Sequence, residues 1–508
     1  MNLSPQQSAV VEWVKTGKGS AFVEAVAGAG KTTTLIQLLS STTGSVFFAA
    51  YNTKIVAEIK AKVAKFEADN DMSFGNRLRV GTFHSFGFNA WRRVHKDVKA
   101  GPEAAREKRD MTVAKLTENK VPEGLHSFIL NLVSLAKNYA IGVQGVIDDE
   151  SLWYAIIDHH DLASEIEDEG QIAEGVKWAI RSLKYHVALN SRIIDFDDML
   201  HAPLVAGVRM FENDWGVIDE AQDTNKARRA MARKMLRAGG RSVWVGDRAQ
   251  AIYGFSGADA DAVDQIIRDF NCATLPLTVT FRCPKAVVAM AQEVVSHIQA
   301  HESAPEGVTR TIEEKNLLNE TLLPTDAILC RKTKPLVETA YSLIRNKIAC
   351  HVEGKDIGLG LLKLVNRYQA KSLDQLRDKL DTYAERECEK LKAKGKETQA
   401  EALMDRVETV KVIADGAKTV AELRQRISDM FYDSDSGEKE AKQKPSLTLS
   451  TCHKAKGREW PRVFVLGRNV WMPSPWARSE WSKVQELNLI YVAYTRAQQE
   501  LVLINVAP

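Results

Sequence analysis

Cysteine, long apolar runs, charge of one sign and repetition are all scarce in this 508-residue chain. The six cysteines, Cys272, Cys283, Cys330, Cys350, Cys388 and Cys452, contain no C-x-x-C pair, which argues against a zinc ribbon or an iron–sulfur cluster. Thiols scattered through a long chain fit a reducing compartment. No apolar run approaches the ~18 residues that a membrane helix needs. Met1 to Val10 shows no basic segment followed by an apolar one, so no signal peptide is expected. The 69 basic and 66 acidic residues leave a net charge of +3, too balanced for a histone-like binder, so any nucleic-acid surface must be a local groove. No repeat of fixed period is present. What is there is ordinary globular material, 44% apolar and 27% charged, which excludes a disordered or collagen-like chain. The length suggests roughly three or four domains.

The pattern along the chain is two α/β blocks, each interrupted by a helical stretch. Ala21 to Val26 is a short apolar run ending in Gly28-Ala29-Gly30-Lys31-Thr32-Thr33, followed by the apolar-periodic Leu35 to Leu39: strand, glycine turn, helix. Val46 to Ala50 predicts a strand and Ile55 to Phe66 a helix. Trp91 to Leu189 is charged and helical in period. Strands return at Trp215 to Ile218 and Ser242 to Val245. A second α/β block opens near residue 276 with a strand at Ala327 to Cys330. Gly358 to Lys444 is helical and rich in Lys and Glu, closing in a solvated linker at Asp433 to Glu440. Strands resume at Arg462 to Leu466 and Leu501 to Ile504.

Two of these features carry chemistry together. Gly28-Ala29-Gly30-Lys31-Thr32 reads as the end of a P-loop. Glycines let backbone N–H groups curl around phosphate, Lys31 supplies charge to the β/γ-phosphates, and Thr32 supplies a hydroxyl for Mg²⁺. Val217-Ile218-Asp219-Glu220 sends two carboxylates out of an apolar strand. Asp219 would hold Mg²⁺ through water, and Glu220 would orient or deprotonate the attacking water. An NTPase follows, with kinase, GTPase and motor all open.

The continuation Asp219-Glu220-Ala221-Gln222-Asp223 resembles motif II of superfamily 1 helicases of the UvrD/Rep/PcrA type, and further motifs follow that family's order. Leu3 to Gln7 is similar to the Q motif, Ala50 to Lys54 to motif Ia, and Gly81 to Ser85 to motif Ib. Val245 to Phe255 is similar to motif III, Thr280 to Cys283 to motif IV, Thr451 to Trp460 to motif V and Tyr491 to Ala497 to motif VI. Ala49 to Asn52 and Val80 to Ser85 also resemble the F-box DNA helicase branch, although no F-box-like extension precedes the Q motif. Thr33 stands where many relatives carry a basic residue, Arg248 replaces an acid, and Ser256 follows Phe255 where many place Arg.

The resemblance implies an α/β chain with two RecA-like P-loop domains, each with a helical insertion: 1A over 1–90 and 190–275, 1B over 91–189, 2A over 276–357 and 445–508, and 2B over 358–444. It implies that ATP and Mg²⁺ are used and that ATP sits between the two blocks if they face each other. Lys31, Asp219, Glu220, Gln250, Arg282 and Arg496 would be catalytic, with the two arginines reaching the γ-phosphate in cis. Gln7 would read the adenine edge, Phe281 would stack on adenine, and Glu459 would accept from the ribose. Gly28, Ala29, Gly30, Thr32, Thr33 and Gly457 complete the nucleotide contacts, and Thr32 and Asp219 hold the metal. Tyr51, Phe83, His84 and Phe255 would line the strand-binding face, where stacking on a base tolerates any sequence. Taken alone, each of the four would more often be core packing, Phe83 most of all. Lys54, Thr82, Ser85 and His453 could donate to the sugar–phosphate backbone. Asp195-Phe196-Asp197-Asp198 resembles an Asp-Phe-x-Asp stretch of the family and is read as structural, a solvated helix start being the commoner use of clustered acids.

The expected activity is ATP-dependent 3′-to-5′ translocation on single-stranded DNA coupled to strand separation. Single strands and single/double-strand junctions would be the partners, with no membrane, and the protein would be a cytoplasmic monomer. The alternatives are a translocase that strips proteins without unwinding, and a non-catalytic nucleic-acid binding module. The intact phosphate-facing residues argue against the last.

Overall fold

The computed structural model describes residues 3–143, 145–160, 162, 166, 168–252, 261–368, 370–393, 397–432, 446–477 and 480–507. It divides into two compact units, Met1–Ala25 with Gly30–Leu277, and Val26–Ala29 with Thr278–Pro508.

The first unit is built on six strands: β1 (Ser20–Ala25), β2 (Val46–Ala50), β3 (Leu78–Thr82), β4 (Asn213–Ile218), β5 (Leu236–Gly246) and β6 (Cys272–Leu277). Their order is β3-β2-β4-β5-β1-β6, and every neighbouring pair is parallel. Parallel strands need crossovers and are covered on both faces, which is why Phe22, Phe47, Phe48, Val217 and Trp244 stand in near-continuous apolar runs. α1 (Pro5–Thr16) precedes the first strand, and the crossovers are the helices α2 (Lys31–Leu39), α3 (Thr53–Asp69) and α4 (Phe83–Val94), then α5 (Pro102–Glu118), α6 (Glu123–Asn138), α7 (Glu150–His160), α8 (Glu169–Leu189), α9 (Asp198–Val205), α10 (Lys226–Met235) and α11 (Ala262–Phe270). α4 runs through residue 91, where the sequence suggested a boundary. Trp91 packs with Ile194 and Ala202, and its indole N–H donates to Asn190 O at 2.8 Å. Helices α5 to α8 close over a core of their own, around Leu125, Ile129, Trp153, Val176 and Leu183.

One expectation is corrected here. The acids at 195–198 are not a solvated helix start. Asp198 is fully buried, with its carboxylate 2.6 Å from Lys108 Nζ and 2.8 Å from Lys137 Nζ, and both lysines are buried too. Lys137 also pairs with Asp195 at 2.5 Å. Burial penalises the Asp198 charge, but the two ammonium groups outweigh it and hold its pKa well below the carboxylate range. His186 joins the cluster through Thr112 Oγ1 at 2.8 Å, and burial, then Lys137 and Lys108, push its pKa down. His186, Asp195 and Asp198 bring ligand atoms within 4.8 Å of one another, but the two lysines already neutralise them.

The second unit has a seven-stranded sheet and a small strand pair. The pair is β7 (Val279–Thr280) with β8 (Gln299–Ala300). The sheet comprises β9 (Val308–Glu313), β10 (Ala327–Cys330), β11 (Cys350–Glu353), β12 (Phe431–Tyr432), β13 (Leu447–Thr451), β14 (Trp460–Leu466) and β15 (Ala497–Asn505), in the order β12-β11-β13-β10-β14-β15-β9, all parallel. Its helices are α12 (Lys285–Ala291), α13 (Thr333–Arg345), α14 (Lys355–Arg367), α15 (Leu373–Ala393), α16 (Glu397–Asp415), α17 (Val420–Met430), α18 (Arg468–Trp471) and α19 (Glu480–Tyr494). Leu361, Leu380, Val407 and Leu423 of α14 to α17 belong to the same apolar cluster as Ile328, Leu449 and Phe464 of the sheet. The linker expected at 433–440 lies outside the described residues.

Candidate functional site

Strand register gathers the first unit's polar residues at one edge. Ala49 is level with Gly81 and Ile218, Ile218 with Trp244, and Glu24 with Gly246. The turns after β1, β2, β3, β4 and β5 therefore emerge together at the carboxyl ends of the strands, where open parallel sheets place their ligands.

The turn after β1 is held open by its glycines. Gly28 and Gly30 have φ of +74° and +76°, the left-handed region that suits glycine. Space forbids a side chain at both: a Cβ at Gly30 would lie 2.6 Å from Gln7 Nε2, and one at Gly28 would lie 2.4 Å from Thr280 Oγ1. Ala29 N donates to Val26 O at 3.2 Å, closing the turn. Gln7 itself sits in a capping box, donating its backbone N–H to Ser4 Oγ and accepting Ser4 N on Oε1 at 3.0 Å. Its side-chain amide therefore faces the glycine turn.

α2 begins at Lys31 and presents its first residues to the acids that follow β4. Lys31 Nζ is 3.1 Å from Glu220 Oε2, and Thr32 Oγ1 donates to Asp219 Oδ2 at 3.2 Å. Glu220 has φ of +52°, a strained conformation for a side-chain-bearing residue at the turn. Gln222 Nε2 fixes Glu220 Oε2 at 2.6 Å, while Gln222 Oε1 accepts Asp247 N at 3.1 Å, so one amide ties the turns after β4 and β5. Asp247 in turn accepts Gln250 Nε2 at 2.6 Å and Ala249 N at 3.0 Å. Lys31, Thr32, Asp219, Glu220 and Gln250 thus form one connected group, with Thr33 half-buried on the next position of α2.

The charges in this group are strongly coupled. Burial, then Glu220, push the Asp219 carboxyl up to about 6, with Lys31 acting against them. Burial raises Asp247 as well. Burial alone would lower Lys31, but Glu220, Asp219 and Asp247 outweigh it and raise its pKa. An acidic nest around one cation, with a hydroxyl beside a carboxylate whose proton affinity is raised, has the donor set of a divalent-cation site, and Thr32 and Asp219 would hold it.

The second unit collects its nucleotide candidates at the start of β14 and β15. Trp460 pairs with Ala497, and Trp460 N donates to Arg496 O at 3.0 Å. Arg282 forms an ion pair with Glu459, which also accepts Gln498 Nε2 at 2.9 Å. Arg496 is buried, and its guanidinium donates to Val492 O and Arg458 O, each at 2.9 Å. No carboxylate pairs with it among the described residues. Burial, then the neighbouring Arg282, lower its pKa to about 10, as expected for a buried cation lacking an anion. Phe281 leaves 47% of its surface exposed, 4.9 Å from the His301 ring, and Phe281 N donates to Gly28 O at 2.9 Å. Gly457 is exposed nearby in sequence. His453, by contrast, follows β13 at its carboxyl end, since Cys330 is level with Thr451. The segment from Cys452 to Glu459 therefore runs from the carboxyl ends of the strands to their amino ends. Burial, then Arg331, lower the His453 pKa to about 3, leaving it neutral.

The strand-face candidates divide. Tyr51 follows β2 with the Arg228 guanidinium 4.8 Å from its ring centroid, and Lys54 is exposed on the first turn of α3. His84 is buried, stacked at 3.9 Å on Phe196, and burial, then Arg228, lower its pKa to about 3. Phe196 itself is 60% exposed, so the outward ring of that pair belongs to the residue left out of the sequence-based site. Its signal was the aromatic amid acids at 195–198. Thr82 and Ser85 form a reciprocal cap for α4, with Thr82 Oγ1 accepting Ser85 N at 3.1 Å. Phe83 is a correction: it is 4% exposed, packed edge-on to Phe47 in the first unit's core, and presents no face to a base. Phe255 and Ser256 lie outside the described residues.

Two parallel sheets, one carrying a P-loop against a paired Asp-Glu turn, define a P-loop nucleotide-binding fold with two RecA-like domains. The chain belongs to the UvrD/REP helicase family: the N-terminal domain of that family matches residues 3–271, more than half of the chain, and a UvrD-like helicase C-terminal domain matches residues 446–504. It is similar to DNA helicase II of Haemophilus influenzae, 23% identical over 305 residues, covering 56% of this chain and 40% of the relative. It is also similar to ATP-dependent DNA helicase PcrA of Staphylococcus epidermidis (25% over 312 residues, 58% and 40%) and to ATP-dependent DNA helicase Rep of Buchnera aphidicola (21% over 318 residues, 58% and 44%). The chain spans about two-fifths of the length of the curated relatives it matches. No helix among the described residues is long and apolar enough to cross a membrane.

Proposed function

We propose that this chain is an ATP-dependent DNA helicase that translocates 3′-to-5′ on single-stranded DNA and couples hydrolysis to strand separation. The observation that carries the reading is the connected group Lys31–Glu220, Thr32–Asp219 and Asp247–Gln250 at the carboxyl edge of a parallel sheet. Lys31 would leave Glu220 for the β/γ-phosphates, freeing the Glu220 carboxylate to accept a proton from the attacking water. A Mg²⁺ ion held by Thr32 and Asp219 would supply charge neutralisation at the phosphates. Gln250, held by Asp247, would sense the γ-phosphate. Arg282 and Arg496 would stabilise transition-state charge, which for Arg496 would provide the anion its burial lacks. Phe281 offers a ring for adenine, and Gln7, Gly28, Ala29, Gly30, Thr33, Gly457 and Glu459 would complete the nucleotide contacts. Single-stranded DNA would be gripped by Tyr51 and the Phe196–His84 stack, with Lys54, Thr82, Ser85 and His453 as backbone donors. The polarity and the monomeric, cytoplasmic state are carried by the family resemblance.

The test is ATP turnover with and without oligo-dT, followed by strand displacement on 3′-tailed and 5′-tailed duplexes. Stimulated turnover with displacement only from the 3′ tail is expected. Movement along oligo-dT without displacement would make the protein a translocase, and no turnover at all would leave a binding module.

A further inference from the structure

Away from the phosphate-facing edge, the first unit carries a cleft of about 970 Å³ walled by α10, the turn after α6, the end of α9 and the end of α11. A smaller cavity of about 240 Å³ adjoins it and shares Ile141, Leu152 and Lys226. The larger one is at the upper end of what ligand pockets enclose. It plays no part in the nucleotide chemistry above.

The cleft's charge follows from helical spacing. Lys226, Arg229, Ala230, Arg233 and Lys234 fall at i, i+3, i+4, i+7 and i+8, which places them on one face of α10. The small Ala230 leaves a hollow between the cations. Arg229 is buried in the floor, donating to Asp269 Oδ2 at 3.1 Å. Asp269 is the one acid among the described residues lining the larger cleft, and it is committed to Arg229. Lys226, Arg233 and Lys234 take part in no ion pair among the described residues; Arg233 lies 4.8 Å from the Phe270 ring centroid. The facing wall is aliphatic, from Ile141, Val143, Leu152 and Leu204.

We propose that this cleft docks an acidic peptide segment of a partner protein, carrying an aliphatic anchor. Three unmatched cations call for carboxylates, and the aliphatic wall calls for a side chain such as Leu or Ile; an extended peptide supplies both. A nucleic acid fits less well. Its sugar–phosphate backbone has no use for an aliphatic wall, and the one aromatic among the described residues lining the cleft, Phe270, already has Arg233 at its ring and is tilted against Trp244 at 4.8 Å. Lys226 to Lys234 spans about 12 Å at helical rise, the reach of about four extended residues.

The experiment uses the full chain and fluorescence anisotropy of a short fluorescein-labelled peptide of alternating Glu and Leu, with a Gln/Leu peptide as control. The variants are the charge reversal Lys226→Glu with Arg233→Glu, and Ala230→Leu, which fills the hollow without changing charge. Saturable binding of the acidic peptide but not the control is expected, weakened about tenfold or more by each variant, a loss typical of a central contact. Melting temperature, oligo-dT affinity and DNA-stimulated ATP turnover should match the wild type. Should the charge reversal fail to fold, Ala230→Leu decides alone. Absence of saturable binding, or binding that neither variant changes, overturns the proposal. So does a parallel loss of oligo-dT affinity, which would make the cleft a nucleic-acid surface. A protein without ATP turnover that still binds the peptide would leave this inference standing and remove the helicase reading.

Discussion

The Lys31 ammonium stands 3.1 Å from the Glu220 carboxylate, so the cation of the P-loop rests on the acid proposed to activate water. Both are expected to be indispensable for different reasons. Lys31→Ala should abolish ATP turnover while the circular dichroism spectrum stays that of the wild type. Glu220→Gln keeps the shape and the contact with Gln222 but cannot take a proton, so nucleotide binding should persist while turnover falls by about 10²–10⁴. Parallel loss of binding in Glu220→Gln would assign it a structural role.

Asp219 makes the site costly to fold. Its folded pKa, about 6 through burial and then Glu220, lies above the value of a free carboxyl. The native state therefore holds the proton more tightly than the unfolded chain. This contribution favours folding at pH below about 4 and is lost as pH rises through about 6. Asp219→Asn should raise the melting temperature of nucleotide-free protein at pH 7.5, by ~2–4 °C for each kcal/mol recovered, and the gain should shrink on acidification towards pH 4. The same variant should not turn over ATP. A melting temperature that falls at pH 7.5 would show that Asp219's bonds to Thr32 and Glu220 outweigh its buried charge.

Arg496 donates to two backbone carbonyls, one in α19, which it follows, and one in the turn before β14. A lysine cannot reproduce that fork. Arg496→Lys should therefore behave nearly as Arg496→Ala in ATP turnover, with kcat down by about 10³ or more if it acts as an arginine finger, and KM much less affected. Full activity in Arg496→Lys would remove it from the phosphate.

On the strand face, Phe196→Ala and Tyr51→Ala should each weaken oligo-dT binding by about 1–3 kcal/mol and leave basal ATP turnover unchanged. Affinity should fall steeply with salt, with a slope of about −0.7 in log K for each phosphate neutralised. Phe83→Ala should act differently, costing about 3–5 kcal/mol of stability through the cavity it leaves. Titration of all three variants against oligo-dT, beside urea melts, separates stacking from packing.

The buried cluster behind α5 to α8 is a stability site. Lys137→Ala strands Asp195 and part of Asp198, and should cost about 3–5 kcal/mol. Acid should attack the same place in the wild type. His186, whose folded pKa is depressed by burial and the lysines, stabilises the fold above its unfolded pKa of about 6.5, and that contribution is lost as pH falls below it. Urea midpoints from pH 8 to pH 5 check both; an unchanged midpoint in Lys137→Ala would mean that Lys108 alone satisfies the acids.

What could be read from the sequence was whatever is local. The P-loop, the Asp219-Glu220 turn and strands such as Val46–Ala50 and Ala327–Cys330 each carry their pattern within a few residues, and the structure puts strands at those positions. The edge strands β3, β6 and β9 were not recognised, because half-exposed residues blur an apolar run: Arg79 and Thr274 point away from any core. Long-range pairing was out of reach altogether. Nothing near Asp198 announces that Lys108 and Lys137, 90 and 61 positions earlier, neutralise it. Nor does the motif order reveal that His84 turns inward and leaves Phe196 as the outer ring.

The two helical groups are anchored differently, and this sets how each can come apart. Helices α5 to α8 enclose their own apolar cluster, whereas Leu361, Leu380, Val407 and Leu423 of α14 to α17 are continuous with the core beneath the second sheet. Lifting α14 to α17 off the sheet would open that shared core to water, so their amides should exchange with deuterium only when the whole second unit opens. Among the described residues, the α5 to α8 group shares no apolar cluster with the sheet it is inserted into, so once the Lys108 and Lys137 pairs to Asp198 open, its amides should exchange in a separate, earlier step. The first is a buttress; the second is a detachable module.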